Sequence, residues 1–165
     1  MNAEQSTQIE MLYLQMFDGM MAYARSSLPE EALAEEAVQE TFRIACQKAE
    51  ALCNSPNPKG WLIKTLKFTI QNIKRSRESM RLLLAEYLAA QAQQAAFSED
   101  KIRLEVLYGN IADQEEFQLL EEMAVEGKSH LEMAQIRGIS ISACKKRVQR
   151  AKKVLQRKLK LDVTD

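Results

Sequence analysis

Histidine occurs once in this chain, at position 130, and cysteine three times, at positions 46, 53 and 144. No two cysteines form a C-x-x-C pair, and His130 is far from all three in sequence. Neither a zinc-type ligand set nor a disulfide framework is expected, and the usage fits a reducing cytosol. Five glycines and three prolines, set against many Ala, Leu, Glu, Gln and Lys, argue against a turn-rich sheet and favour helix. There is no glycine-rich phosphate loop. With one histidine, scattered carboxylates and no metal-ligand spacing, an enzyme is not expected, and no metal or cofactor is assigned. No run approaches the roughly 20 apolar residues that a membrane span needs. The start "MNAEQSTQIEMLYL" lacks the basic segment and long apolar run of a signal peptide. A soluble, cytoplasmic protein that does not insert in a membrane is the expectation.

What is present is an uneven charge on a neutral chain. The 165 residues carry 23 basic and 23 acidic side chains, and 46% are hydrophobic, enough to build one domain or two small ones. Residues 141–165 carry nine basic side chains (Lys145, Lys146, Arg147, Arg150, Lys152, Lys153, Arg157, Lys158, Lys160) and two acidic ones (Asp162, Asp165). The remainder is acidic by the same margin. Such a split predicts a basic module for a polyanion joined to an acidic part with another partner.

The apolar spacing predicts a helix over 8–25, with Ile9, Leu12, Met16, Met20 and Tyr23 on one stripe. "SLPEE" reads as the next helix start, with Ser27 as N-cap and Glu30 closing a capping box. That helix is expected to run to about Leu52 on the stripe Ala34, Val38, Thr41/Phe42, Ala45, Ala49. After the loop "CNSPNPKG", Asn57 caps a third helix with Pro58 at its first position. Leu62, Leu66, Thr69/Ile70 and Ile73 face inward, and Lys59, Lys64, Lys67, Lys74, Arg75 and Arg77 remain outside. Residues 79–98, rich in Ala and Gln, are expected to be a helical tether with little to pack. A short helix over 99–108, a break at "YGN" and a helix capped by Asp113 follow.

The segment "SHLEMAQIRGISISACKKRVQRAKK" reads as a helix-turn-helix. Ser129 and Glu132 form a capping box, Ala134 is small where two helices approach, and Gly138 sits where positive φ is needed. Ile139 is an apolar plug and Ser140 the second N-cap. Ile141, Cys144, Val148, Ala151, Leu155 and Leu159 make the buried stripe, which leaves Lys145, Lys146, Gln149, Arg150 and Lys153 outside. A helix of this kind fits a DNA major groove. A merely solvated basic helix is the competing reading of the charges alone. Cys144 is read as core, not as a redox sensor, and no chemistry is assigned to His130. The methionines are read as core filler.

"GKSHLEMAQIRGISISACKKRVQRAKKVL" resembles region 4 of the sigma-70 family of RNA polymerase sigma factors. "LAEEAVQETFRIA" with "NPKGWLIKTLKFTIQNIKR" resembles region 2 of its small extracytoplasmic-function members. The order and separation are those of the family. Glu36 stands where the family has Asp, Arg137 where it has Leu, Cys144 where it has Val, and Lys67 near where it has Ala or Arg. The 79–98 segment is longer than in the family.

The resemblance implies an all-α protein of two small helical domains. These are a region 2 helical bundle over 1–78 and a region 4 helix-turn-helix over 99–165, joined by a linker at 79–98. It implies core RNA polymerase and promoter DNA as partners. Glu36, Gln39, Glu40 and Arg43 would dock on the polymerase clamp coiled coil. Lys64, Lys67, Asn72, Lys74 and Arg75 would serve the opened minus-10 strand. Trp61 joins the apolar stripe and is read as core. Ser142, Ala143, Lys145, Lys146, Gln149, Arg150 and Lys153 would meet the minus-35 element. An anti-sigma partner and a free monomer are further family expectations. The alternative is a stand-alone helix-turn-helix regulator, which leaves "AEEAVQETF" unexplained. A helical adaptor without DNA affinity is a third reading.

Overall fold

A computed structural model describes residues 1–97 and 115–162. Among them every regular element is a helix: α1 (Ala3–Ser27), α2 (Glu31–Gln47), α3 (Ala49–Cys53), α4 (Pro58–Phe97), α5 (115–124), α6 (His130–Arg137) and α7 (Ile141–Asp162). The chain divides into two units, Met1–Arg75 and Ser76–Asp165, and the boundary falls within α4. The short helix expected over 99–108, the break after it and the Asp113 cap lie outside the described residues.

In the first unit, α1 starts earlier than the apolar spacing predicts. Asn2 and Gln5 exchange side-chain-to-backbone hydrogen bonds of 2.8 and 3.0 Å, and this capping box sets the first turn before any apolar stripe begins. Ile9, Leu12, Met20, Met21 and Ala24 are buried, but Tyr23 is exposed. The expected Ser27 cap of α2 is overturned. The Leu28 N–H donates to the Ala24 carbonyl at 2.8 Å, which keeps Ser27 as the last residue of α1. Leu28 is buried, so burial anchors the chain there. Glu30 takes the N-cap position of α2 without a side-chain cap bond. The long second helix is also divided, with α2 ending at Gln47 and α3 beginning at Ala49.

The core of this unit joins Leu33, Ala34, Val38, Phe42 and Ala45 of α2 to Leu52 of α3 and Leu62, Leu66 and Ile70 of α4. Each fully buried Leu contributes about 1.5–3 kcal/mol relative to exposure. Trp61 is partly buried against the same cluster, as its stripe position predicts. Asn57 caps α4: its Oδ1 accepts from the Gly60 N–H at 2.9 Å, and Pro58 is the first helical residue. A Cβ at Gly60 would lie 2.5 Å from the Asn57 amide nitrogen, so glycine leaves room for the cap.

In the second unit the helical reading of 79–97 holds, but the expected lack of packing does not. Met80, Leu83, Leu84 and Tyr87 are buried with Leu119, Leu120 and Met123 of α5, Met133 and Ala134 of α6, and Cys144, Val148, Ala151 and Leu155 of α7. The apolar residues among the Ala and Gln recur at three- and four-residue intervals, so they share one face of α4 and form a wall of this core. Arg81 Nε and Arg77 Nη2 donate to the Ala124 carbonyl at 2.9 and 3.5 Å, placing two cations at the C-terminal end of α5.

Candidate nucleic-acid and polymerase interfaces

The α6–α7 pair forms as its spacing predicts. The Ser129 hydroxyl accepts from the Glu132 N–H, and the Glu132 carboxylate accepts from the Ser129 N–H. Gly138 takes φ +63°, the left-handed conformation that stops α6 within one residue. Its N–H donates to the Gln135 carbonyl at 3.3 Å, and the Ile139 N–H donates to the Ala134 carbonyl at 3.0 Å. Ile139 is partly buried against the second core, and the Ser140 hydroxyl accepts from the Ala143 N–H at 3.1 Å. Each local feature therefore serves to set the direction in which α7 starts.

With Cys144, Val148, Ala151 and Leu155 buried, the opposite side of α7 is fixed. Ser142, Ala143, Lys146, Gln149, Arg150 and Lys153 are exposed, and Lys145 is half-buried at the edge. Ser142, Lys146, Gln149, Arg150 and Lys153 recur at three- and four-residue intervals, so they form one outward face. Arg157 is exposed and follows Lys153 by one turn. Arg157 is counted among the basic residues of this segment but not among those expected to meet DNA, although the same 3.6-residue period reaches it.

Two other cations of α7 turn elsewhere. Arg147 lies 4.0 Å from Glu115 of α5. Lys152 donates to the Ser76 hydroxyl at 3.2 Å, and its partial burial lowers its pKa. Arg137, where the family pattern has Leu, lies 3.9 Å from both Glu115 and Glu122. Its side chain is 17% exposed, so a cation occupies an apolar position with two acids of α5 facing it.

In the first unit, Lys64, Lys67, Asn72, Lys74 and Arg75 are all exposed on α4. The Lys67 ammonium lies 5.9 Å from the centre of the Tyr23 ring, within cation–π reach. From Pro58 to Arg77 the helix contains six basic residues and no acid. This stretch is therefore basic within a chain of neutral total. Phe68 is 56% exposed on this helix, whereas Trp61 is packed.

On α2, Gln39 and Arg43 are exposed and Glu36 and Glu40 half-buried. Arg43 grips Glu40 through two hydrogen bonds, Nε to Oε2 at 2.7 Å and Nη2 to Oε1 at 2.5 Å, which raises the Arg43 pKa. The acidic face is thus partly neutralised within the helix, and the four side chains present a polar surface of mixed sign. Among the described residues no cluster of His, Cys, Asp or Glu is arranged to hold a metal ion. No described helix is long and apolar enough to cross a membrane.

Comparison with protein families gives two matches in chain order. The Sigma-70 region 2 family model matches residues 12–80, and the Sigma-70, region 4 family model matches residues 114–155. Neither a curated protein nor a solved structure matches the chain.

Proposed function

The chain belongs to the sigma-70 family, as a factor of the extracytoplasmic-function type that directs RNA polymerase to promoters, and from that premise we propose a division of labour among its surfaces. The observation that carries it is the pairing of two family segments with two exposed cationic helix faces, on α4 and on α7. Residues 1–78 hold core polymerase and the minus-10 element, 99–165 hold the minus-35 element, and 79–98 join them, with the first half also serving the second core.

The outward face of α7 enters the major groove of the minus-35 element. Ser142, Ala143, Lys145 and Lys146 stand near its start, and Gln149, Arg150 and Lys153 stand further along. Arg or Lys paired with guanine is the commonest specific contact in that groove. Lys64, Lys67, Asn72, Lys74 and Arg75 track the backbone of the opened minus-10 strand, where a cationic groove is required. Glu36, Gln39, Glu40 and Arg43 form the polymerase-docking surface. Its mixed charge favours orientation and partner choice over raw affinity. The factor acts in the cytoplasm, where polymerase and chromosome are. It is a monomer when free, and an anti-sigma protein that masks the polymerase surfaces is its expected regulator.

Run-off transcription tests this reading. Purified core polymerase is given the DNA upstream of the protein's own gene, with and without this chain. A transcript that requires the chain supports the reading. DNA binding by the isolated chain as a dimer on a palindrome, with no transcript, would support the stand-alone regulator.

A further inference from the structure

Arg137 brings a cation to the end of α6, at a position where the family pattern has Leu. Its terminal nitrogens lie 3.9 Å from Glu115 and Glu122 of α5, too far for hydrogen bonds. Its Nε is buried without a hydrogen-bond partner among the described residues, and so is Oε2 of Glu116. A buried donor and a buried acceptor left unpaired each cost stability. Both residues line one cavity of about 210 Å³ between α5, α6 and α7, within the second unit.

The chemistry of the wall selects the occupant. Arg137, Arg147 and Arg150 supply three guanidiniums, and Glu115 and Glu116 supply two carboxylates. A simple anion would meet the carboxylates, and a simple amine would meet the guanidiniums. Leu119 and Ala151 complete the lining, and both are buried core residues. A buried water needs about two to four polar partners, and this apolar part of the wall offers none. The match is to a molecule with an anionic acceptor, a cationic donor and a small apolar body. The cavity is smaller than the roughly 300–1,000 Å³ of sites for drug-sized ligands. A peptide terminus brings one of the two backbone charges, not both. We propose that this cavity is a binding site for a free neutral α-amino acid. Its carboxylate accepts from Arg137, its ammonium donates to Glu116, and its side chain lies on Leu119 and Ala151. Arg150 borders both this cavity and the outward face of α7, but occupancy requires neither polymerase nor DNA.

Isothermal titration calorimetry on the full chain tests the site. The probes are alanine, valine and leucine, each with the acid and the amine that lack its other charged group (isovalerate and isobutylamine for valine). Binding of at least one amino acid at millimolar concentration is expected. Removing either charged group from that ligand should weaken binding by roughly 10- to 150-fold, the range for one hydrogen bond to a charged group. Arg137→Leu, which installs the family residue, and Glu116→Ala should each weaken binding of the amino acid by a similar factor. Glu116→Ala should leave the affinity for the acid analogue unchanged, because that ligand has no ammonium to place. A folding defect would instead weaken every ligand alike.

Three results would overturn the proposal. If none of the amino acids binds wild-type protein, the cavity is left to water. If the acid analogue binds as tightly as its amino acid, the site is one for anions. If Arg137→Leu and Glu116→Ala bind the amino acid as wild type does, the ligand sits elsewhere. Promoter recognition is read separately by run-off transcription, so a transcript without calorimetric binding removes this site alone.

Discussion

Ser129 and Glu132 close a reciprocal pair. The Ser129 hydroxyl accepts from the Glu132 N–H at 3.2 Å, and the Glu132 carboxylate accepts from the Ser129 N–H at 2.9 Å. Two of the otherwise orphaned donors at the start of α6 are thereby satisfied, and Ser129 is 2% exposed. Ser129→Ala should destabilise the protein by about 1 kcal/mol. Equilibrium urea unfolding of the full chain measures this as a lowered midpoint. A midpoint matching wild type would show that the cap contributes nothing.

Gly138 tests the turn itself. An added Cβ would meet nothing within 4 Å, so any cost of Gly138→Ala comes from the backbone at φ +63°. The left-handed conformation costs an L-residue about 1–2 kcal/mol. Gly138→Asn should recover part of that loss, because asparagine tolerates this region better. Equal stability of the alanine and asparagine variants would argue against backbone strain as the cause.

Lys152 gives a stability effect with a definite pH sign. Burial lowers its folded-state pKa from the ordinary 10.5. The unfolded chain therefore binds the proton more tightly, and this group's contribution to stability rises with pH between the lowered value and 10.5. Lys152→Met should stabilise the protein near neutral pH, and the advantage should shrink in alkaline solution. Urea midpoints at neutral and alkaline pH for both proteins decide it. An advantage that grows with pH would reverse the assignment.

Arg150 and Lys153 separate base reading from phosphate contact on the proposed DNA face. Arg150→Ala should weaken promoter binding by about 1–3 kcal/mol and relax sequence preference. Lys153→Ala should weaken all sequences alike and reduce the salt slope of log K by about 1. Binding titrations over a salt series provide both numbers. Wild-type behaviour in both variants would remove α7 from the groove.

Legibility in the sequence followed the range of each interaction. Asn57 on Gly60, Ser129 on Glu132 and Ser140 on Ala143 are bonds across three residues, and each was readable from residue types at fixed spacing. The buried stripe of α7 was readable too, because periodicity places Cys144, Val148, Ala151 and Leu155 on one face. Where two local rules competed, spacing chose wrongly. Ser27 followed by Pro29 and Glu30 looks like a helix start, but the buried Leu28 extends α1 through Ser27.

What this sequence determined by itself is its helices, its turn at Gly138, its separation of charge and its family. What only the tertiary structure decided is which side chains are covered, and by what. Met80, Leu83, Leu84 and Tyr87 looked like sparse apolar residues in a tether, yet they wall the second core. Arg147 and Lys152 fall off the outward face of α7 by spacing, but only the fold shows what they meet, Glu115 and Ser76. Trp61 is packed and Phe68 stands in solvent. The physical reason is the same in each case: helical periodicity states which residues share a face, but burial and pairing depend on groups far away in sequence, and only the folded chain brings those groups within reach.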